Sequence, residues 1–498
     1  MEEPLRLAEL HQFRLNGKNL VLDVETARVF GVDDLAYDIL LVADGAEPSS
    51  IRSRLATRYS PEDVDAVFEE LSETRLLVQQ PPAPPTFSIQ GVSDRPVVSM
   101  DLILSQDCNM RCRYCFADTG AFHGIRTLMT KEVADAAIDF LVRRSQGEKK
   151  LHIGFFGGEP LLNLPILRYV VERGEGKARE ALKDMSFAMS TNGTLLTEDL
   201  ISYFHSKKIS VQMSIDGDEE TQNRNRPYIG NGPTYDDVVH NAQNLFRITG
   251  KPITARVTVT SWNTTHVSAN VEHLLSLGFH TVHLETASGA KGKVFIKSRK
   301  HLEDLKEQFS IVADRFLRKI ESREFYGVDN IIKVLRACNI NDRKIHPCGA
   351  GRGYLCVGEN GDLFPCHRFV GNSRYVMGNV LTDAYDPTWE RTITRDIASI
   401  NRPSCRSCWA RYFCAGDCIA IAEEYFSDIT IPDGLRCELQ KHIIELGLMI
   451  YAHLKKEDKG EIEKLYRLPT KTDVRREHES SDQRGAKAGM TASDSVGT

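Results

Sequence analysis

Three cysteines set the first chemical question. Cys108, Cys112 and Cys115 are separated by three and then two residues and follow directly on the strand-like apolar run 97–104. Thiolates so spaced can converge on three corners of an iron–sulfur cube while the fourth iron keeps no protein ligand. An open iron can bind a substrate or cofactor, so three cysteines point to chemistry where four would point to simple electron transfer or structure. The plainer alternative is a zinc or cluster site with three of its four ligands here and the fourth elsewhere in the chain.

A second set is denser. Cys348, Cys356, Cys366, Cys405, Cys408, Cys414, Cys418 and Cys437 contain the run Cys-x2-Cys-x5-Cys-x3-Cys between 405 and 418. Eight thiolates saturate two [4Fe-4S] clusters, or equally two structural zinc sites of four cysteines each. Zinc cannot relay electrons, so the identity of the metal separates the two. Cys338 is left over and reads as a buried thiol, a common fate of cysteine. A disulfide framework fits poorly, because the twelve cysteines sit in a 498-residue chain whose acidic start, Met1-Glu2-Glu3, lacks the basic-then-apolar form of an export signal.

The elements that must position these groups follow from composition and period. With 41% hydrophobic and 27% charged residues and a formal net charge of −6, the chain reads as globular and cytoplasmic, with about two to four domains. Mild acidity argues against a nucleic-acid surface, and no apolar run approaches a bilayer span, so neither nucleic acid nor membrane is expected as a partner. From 96 to 335, apolar runs such as 151–156, 186–190, 210–215, 254–259 and 281–284 alternate with amphipathic helical stretches. That order implies a parallel sheet and fits an α/β fold, a partial (β/α)6 barrel whose function sits at the C-terminal ends of its strands. Three such ends carry turn and ligand chemistry: Gly157-Gly158-Glu159-Pro160, Ser190-Thr191-Asn192-Gly193-Thr194 and Ser214-Ile215-Asp216-Gly217. Paired glycines let backbone approach a ligand, and carbonyls with Glu159 can hold an ammonium group. Ordinary strand-to-loop turns favour the same residues.

Residues 1–80 form a unit of their own: a hairpin turning on Asn16-Gly17, a strand at 28–32, three helices, the last opened by Ser60 and Pro61, and a closing strand at 76–78. The Pro-rich stretch 81–95 reads as a stiff linker, 336–455 as a cysteine-rich domain ending in a helix from about Leu439 to Lys455, and 470–498 as a disordered tail.

The three-cysteine loop, with Tyr114 just before its last thiol, followed by Gly157-Gly158-Glu159-Pro160 at the next strand end, resembles the radical S-adenosylmethionine (radical SAM) superfamily. In that resemblance Cys108, Cys112 and Cys115 hold a [4Fe-4S] cluster that chelates S-adenosyl-L-methionine, and one electron splits the sulfonium to give methionine and a hydrogen-abstracting 5′-deoxyadenosyl radical. Gly157, Gly158 and Glu159 then face the amino group of the cofactor. Asn192, Ser214 and Asp216 match the ribose and carboxylate sites, and Arg226, or its competitor Arg224, pairs with the carboxylate.

The second cysteine set resembles the SPASM domain, the twin-cluster extension of radical SAM enzymes that act on peptides and proteins. The likeness implies three [4Fe-4S] clusters in all, with Cys348, Cys356, Cys366 and Cys418 on the nearer auxiliary cluster and Cys405, Cys408, Cys414 and Cys437 on the farther one. Sulfatase-maturing relatives carry an Asp base after the third auxiliary cysteine, whereas here Cys366 is followed by His367, which can still take a proton near neutral pH.

The N-terminal unit is similar to winged-helix leader-binding domains, in which an extended leader adds a strand to a sheet edge. Together these resemblances imply a ribosomally synthesised precursor peptide or small protein with a leader as substrate, and a flavodoxin or ferredoxin as low-potential electron donor. The whole layout is most similar to thioether-forming maturases, among them six-cysteine peptide maturases and the maturation protein of quinohemoprotein amine dehydrogenase. Carbon–carbon crosslinking, epimerisation and sulfatase-type maturation stay open, as does a non-catalytic metal scaffold that binds a peptide.

Overall fold

The computed structural model describes residues 4–78, 95–289, 294–454 and 459–467. The Pro-rich stretch up to 94 and the C-terminal tail expected from 470 lie outside the described residues.

The N-terminal unit comprises β1 (Arg6–Leu7), β2 (Leu10–Leu15), β3 (Lys18–Asp23), β4 (Arg28–Val32), α1 (Asp34–Val42), α2 (Pro48–Leu55), α3 (Pro61–Glu73) and β5 (Leu77–Val78). Asn16 and Gly17 take φ of 50° and 71°, the left-handed pair that a tight hairpin between β2 and β3 demands. Ser60 caps α3 by accepting from the Asp63 amide, with Pro61 in the first turn. The antiparallel sheet β2-β3-β4 alternates its apolar residues between two partners. Val21 packs with Ile39, Leu40, Ile51 and Val64 of the unit's own helices, while Phe13, Leu20 and Leu22 join the main core of the chain.

The central region runs β6 (Ser99–Ser105), α4 (Lys131–Arg144), β7 (Lys150–Gly157), α5 (Leu164–Glu180), β8 (Asp184–Thr191), α6 (Glu198–Ser206), β9 (Ser210–Ser214), α7 (Glu219–Asn225), α8 (Tyr235–Thr249), β10 (Thr254–Val259), α9 (Val267–Ser276), β11 (Thr281–Thr286), α10 (Arg299–Glu321) and α11 (Asp329–Ile340). Strands β6 to β11 are parallel neighbours in chain order, as alternating strands and helices require. The sheet does not stop at β6. On its far side lies β12 (Tyr354–Val357), parallel to β6, followed by the antiparallel strands β13 (Asp362–Phe364), β14 (Gly378–Asn379) and β15 (Ala384–Tyr385). The cysteine-rich region is thus built onto the barrel sheet, with Cys356 opposite Asp101.

After β15 come α12 (Pro387–Asp396), α13 (Pro403–Arg406), α14 (Arg411–Cys414), α15 (Ile419–Phe426), α16 (Gly434–His453) and α17 (Lys459–Leu465). Helix α16 begins five residues before the expected Leu439 because Asp433 caps it, accepting from the Arg436 amide; Cys437 therefore sits in its first turn. Helix α16 packs against α10 and α11 and also against β3 and β4, so one helix ties the N-terminal unit to the barrel. No described helix is long and apolar enough to cross a membrane.

Candidate active site

The C-terminal ends of the barrel strands surround a cavity of about 550 Å³. Cys108, Cys112 and Cys115 line it together with His367, Arg368 and Cys418 of the cysteine-rich region. Burial pushes the Cys108 thiol up to about 11 and the Cys112 thiol to about 12, with neighbouring thiols adding to both. Neutral Cys108 and Cys112 thiols are the cost of burying sulfur here, and cationic iron is the compensation such a pair fits.

The glycines of the β7 loop have a reason beyond ligand approach. A Cβ on Gly157 would stand 2.4 Å from the Ser105 carbonyl oxygen, and one on Gly158 would stand 2.2 Å from that of Asp107. The Gly158 and Glu159 amides donate to those carbonyls at 2.8 and 2.9 Å, which locks the loop onto the cysteine loop. Both glycines line the cavity.

Glu159 corrects the sequence reading. It is fully buried and does not line the cavity; its Oε1 accepts from the Leu161 amide at 3.1 Å and the Thr191 hydroxyl at 2.8 Å, and its Oε2 from the Asn192 amide at 2.8 Å. It braces the ends of β7 and β8 against each other instead of presenting a carboxylate to a ligand. Burial pushes its carboxyl up to about 7 even against those donors.

Asn192 lines the cavity, with its Nδ2 2.9 Å from Asn109 Oδ1 and 3.7 Å from Cys108 Sγ. Ser214, Tyr114 and Arg226 line it too. Asp216 lies behind them, fully buried, its Oδ1 accepting from Tyr114 Oη and the Thr258 amide, each at 3.0 Å. Arg226 Nη1 donates to Tyr114 Oη at 2.5 Å. Burial opposes charge on Arg226, but Cys112, Tyr114 and Asp216 hold it protonated. Arg226 Nε, on the cavity lining, has no hydrogen-bond partner, so a buried donor stands ready for the carboxylate of an amino-acid group. Arg224 is excluded from this work: it is exposed and its guanidinium lies over the Trp262 ring at 4.5 Å.

His367 Nδ1 lies 3.0 Å from Asp101 Oδ2, and Tyr354 Oη donates to the same oxygen at 2.5 Å. His367 stacks on Phe156 with ring centroids 4.2 Å apart. A carboxylate only accepts, so Nδ1 carries the hydrogen and Nε2 is left able to take a proton. Gly154 makes this possible, since a Cβ there would fall 2.1 Å from Asp101 Oδ1. Asp101 escaped the sequence reading, although an acid midway along an apolar strand is a signal. Arg256, Glu285 and Arg436 also line the cavity. Burial alone would push Glu285 up, but Arg436, 2.9 Å away, brings it down to about 2.

The remaining cysteines fall into two groups. Burial pushes the Cys366 thiol up, with Cys418 and Cys348 adding to it, and Cys356 feels burial, Asp101 and then Cys366. Cys437 is pushed to about 12 by burial and then by Cys414, Asp417, Cys405 and Cys408. Among the described residues no three Cys, His, Asp or Glu side chains close on one metal ion. Cys338 is buried on α11 and lines neither this cavity nor the adjoining one of about 450 Å³ behind Arg436.

Comparison with known proteins agrees with this geometry. Residues 102–265 match the radical SAM superfamily model and residues 348–409 match that of an iron–sulfur cluster-binding domain, SPASM. The chain is 24% identical over 383 residues to the radical SAM cyclopropyl synthase TigE of Paramaledivibacter caminithermalis, covering 70% of this chain and 73% of that one. It is 24% identical over 336 residues to a cysteine-type anaerobic sulfatase-maturating enzyme of Clostridium perfringens, covering 63% and 86%. Among solved structures it superposes on anSMEcpe with bound AdoMet at a TM-score of 0.62 and 18% identity, covering 74% of this chain and 98% of that one. Streptococcus suis SuiB bound to its precursor peptide SuiA matches at a TM-score of 0.50 and 14% identity, covering 86% and 99%.

Proposed function

We propose that this chain, a radical SAM enzyme with a SPASM iron–sulfur extension, forms intrapeptide thioether crosslinks between a Cys sulfur and a carbon of another residue in a ribosomally synthesised peptide. The observation that carries this is the shared cavity: the three-cysteine loop and the His367–Asp101 pair face one space of about 550 Å³.

When bound, S-adenosylmethionine on the cluster of Cys108, Cys112 and Cys115 supplies a 5′-deoxyadenosyl radical that removes one hydrogen atom from carbon, and the auxiliary clusters supply the acceptor for the electron left on the product. The chain's own residues do the rest. Arg226, Tyr114, Asn192 and Ser214 fix the cofactor's amino-acid and ribose groups, and Glu159 and Asp216 hold those residues from behind. His367, oriented by Asp101, takes the proton of the substrate thiol as the carbon–sulfur bond forms. Cys348, Cys356, Cys366 and Cys418 hold the nearer auxiliary cluster and Cys405, Cys408, Cys414 and Cys437 the farther one. Residues 1–80 bind the leader, and a flavodoxin or ferredoxin provides the first electron.

SuiB, a relative in fold, is bound to its precursor peptide, which supports a peptide substrate here. Anaerobic incubation with the peptide encoded by a neighbouring short reading frame, dithionite and S-adenosylmethionine tests the reading. A loss of about 2 daltons per crosslink, the two hydrogens removed, supports it. Cofactor cleavage with unchanged peptide mass overturns it. Sulfatase-type maturation is the second reading, favoured by the 24% identity to the Clostridium perfringens enzyme, and it would appear as a formylglycine in place of a crosslink.

A further inference from the structure

Among the described residues Arg402 is the largest fully buried side chain, 1% exposed. Its Nε donates to the Thr430 carbonyl at 2.8 Å and its Nη1 to that of Gly416, while Nη2 has no partner. Among the described residues no carboxylate pairs with it. Asp428 feels its charge, but that carboxylate is held by the Thr430 amide and hydroxyl at 2.8 and 2.7 Å. A guanidinium stays protonated, so it stands buried and uncompensated, a costly state unless an anion lies alongside.

The neighbouring sulfurs identify that anion. The Arg402 carbonyl accepts from the Cys405 amide at 3.0 Å and its Nη1 reaches the carbonyl of Gly416, two residues after Cys414, so Arg402 is built into the backbone that carries the farther quartet. The segment that Arg402 grips joins the two quartets: Ala415, Gly416 and Asp417 all take positive φ, at 58°, 109° and 60°. Successive positive φ values of this kind turn backbone amides to one side, a nest of donors suited to an anionic sulfur. Gly416 cannot carry a side chain, because its Cβ would lie 2.6 Å from Arg402 Nη1.

We propose that Arg402 is the built-in counter-charge of the cluster held by Cys405, Cys408, Cys414 and Cys437, with Nη2 donating to its sulfur and making it the easier of the two auxiliary clusters to reduce. This rests on the cluster assignment above. Four thiolates leave a [4Fe-4S] centre anionic, and hydrogen bonds to sulfur and nearby charge set how readily it accepts an electron. The Arg436 guanidinium, beside Cys418 and the nearer quartet, is by contrast matched by Glu285 and Asp417 at 2.9 and 3.0 Å. The electron left on the product is thereby drawn outward, from the cavity wall to the farther cluster. Arg402 acts as a positioning residue and touches no substrate.

The experiment is an EPR-monitored reductive titration of reconstituted protein, with iron and sulfide analysis, for wild type, R402K and R402Q. R402Q is expected to keep about 12 irons, three clusters of four, with the farther cluster reduced only at more negative potential; R402K, which keeps the charge, shifts less. A fully loaded R402Q with the wild-type potential overturns the proposal. Should R402Q fail to load, unsubstituted protein labelled with 15N-arginine decides: pulsed EPR of the reduced farther cluster shows a nitrogen coupling, or its absence overturns the assignment. If C405A/C408A loses no iron relative to wild type, there is no farther cluster, and the ligand assignment falls together with the role of Arg402.

Discussion

His367 Nδ1 and Asp101 Oδ2 meet at 3.0 Å across 266 positions of sequence, one from the residue after Cys366 and the other from the middle of β6. The pair lines the same cavity as the three-cysteine loop. Asp101 fixes which imidazole nitrogen carries the hydrogen, so removing either residue should spare radical generation and stall the step that needs a base. H367Q and D101N are expected to lower crosslinked product about 10²- to 10⁴-fold, the usual range for a lost general base, while 5′-deoxyadenosine still forms. Product yield and 5′-deoxyadenosine measured in one reaction check it; equal loss of both would place the pair in cofactor binding instead.

Arg226 and Arg224 are two positions apart and differ in every physical respect. The first is buried beside Tyr114 and Asp216, and the second is exposed over Trp262. R226M should weaken S-adenosylmethionine binding by about 2–5 kcal/mol, because it leaves buried Asp216 without its cation. R224A should change it by less than about twofold, the scale of an exposed residue. Equilibrium dialysis of the cofactor against both variants reads the difference.

The barrel was legible because alternating strands and helices carry a strong period, and the cysteine loops because thiol spacing is specific. What escaped was the pairing between distant strands. That β12 joins the edge of β6, bringing Cys356 opposite Asp101, depends on long-range register that no local pattern encodes. Glu159 was read as ligand-facing since its neighbours are; only the three donors around its carboxylate reveal a brace. Arg402 left no trace in the sequence, where an arginine before Pro403 looks like a surface residue until burial is known.

Glu159 predicts a pH dependence of stability. Its carboxyl moves from an ordinary 4.5 to about 7 on folding, by burial. Between those values the folded chain holds a proton that the unfolded chain has released, so this group's contribution falls as pH rises from about 4.5 to 7 and is flat above. The shift corresponds to about 3 kcal/mol. E159Q, which cannot ionise, should flatten that part of the stability curve in cluster-free protein, measured by urea unfolding from pH 5 to 8. An unchanged slope would mean that the carboxylate is already ionised at pH 5.

Arg411 fastens the N-terminal unit to the segment between Cys408 and Cys414. It is 5% exposed and its fork reaches Glu9 at 2.5 Å and also Glu25, while His11 stacks on Trp409 with centroids 3.7 Å apart. These contacts fall between Cys408 and Cys414. Removing one acid leaves a buried guanidinium underpaired, so E25Q should destabilise the docked arrangement by up to about 3 kcal/mol. The loosening should be local: hydrogen exchange rises in 405–414 and in β2 and β3, while the barrel strands keep their protection. R411M, which removes the charge itself, should cost less than E25Q combined with E9Q, since no buried cation is left unpaired. If the double variant is as stable as wild type, the Arg411 ion pairs do not hold the two units together.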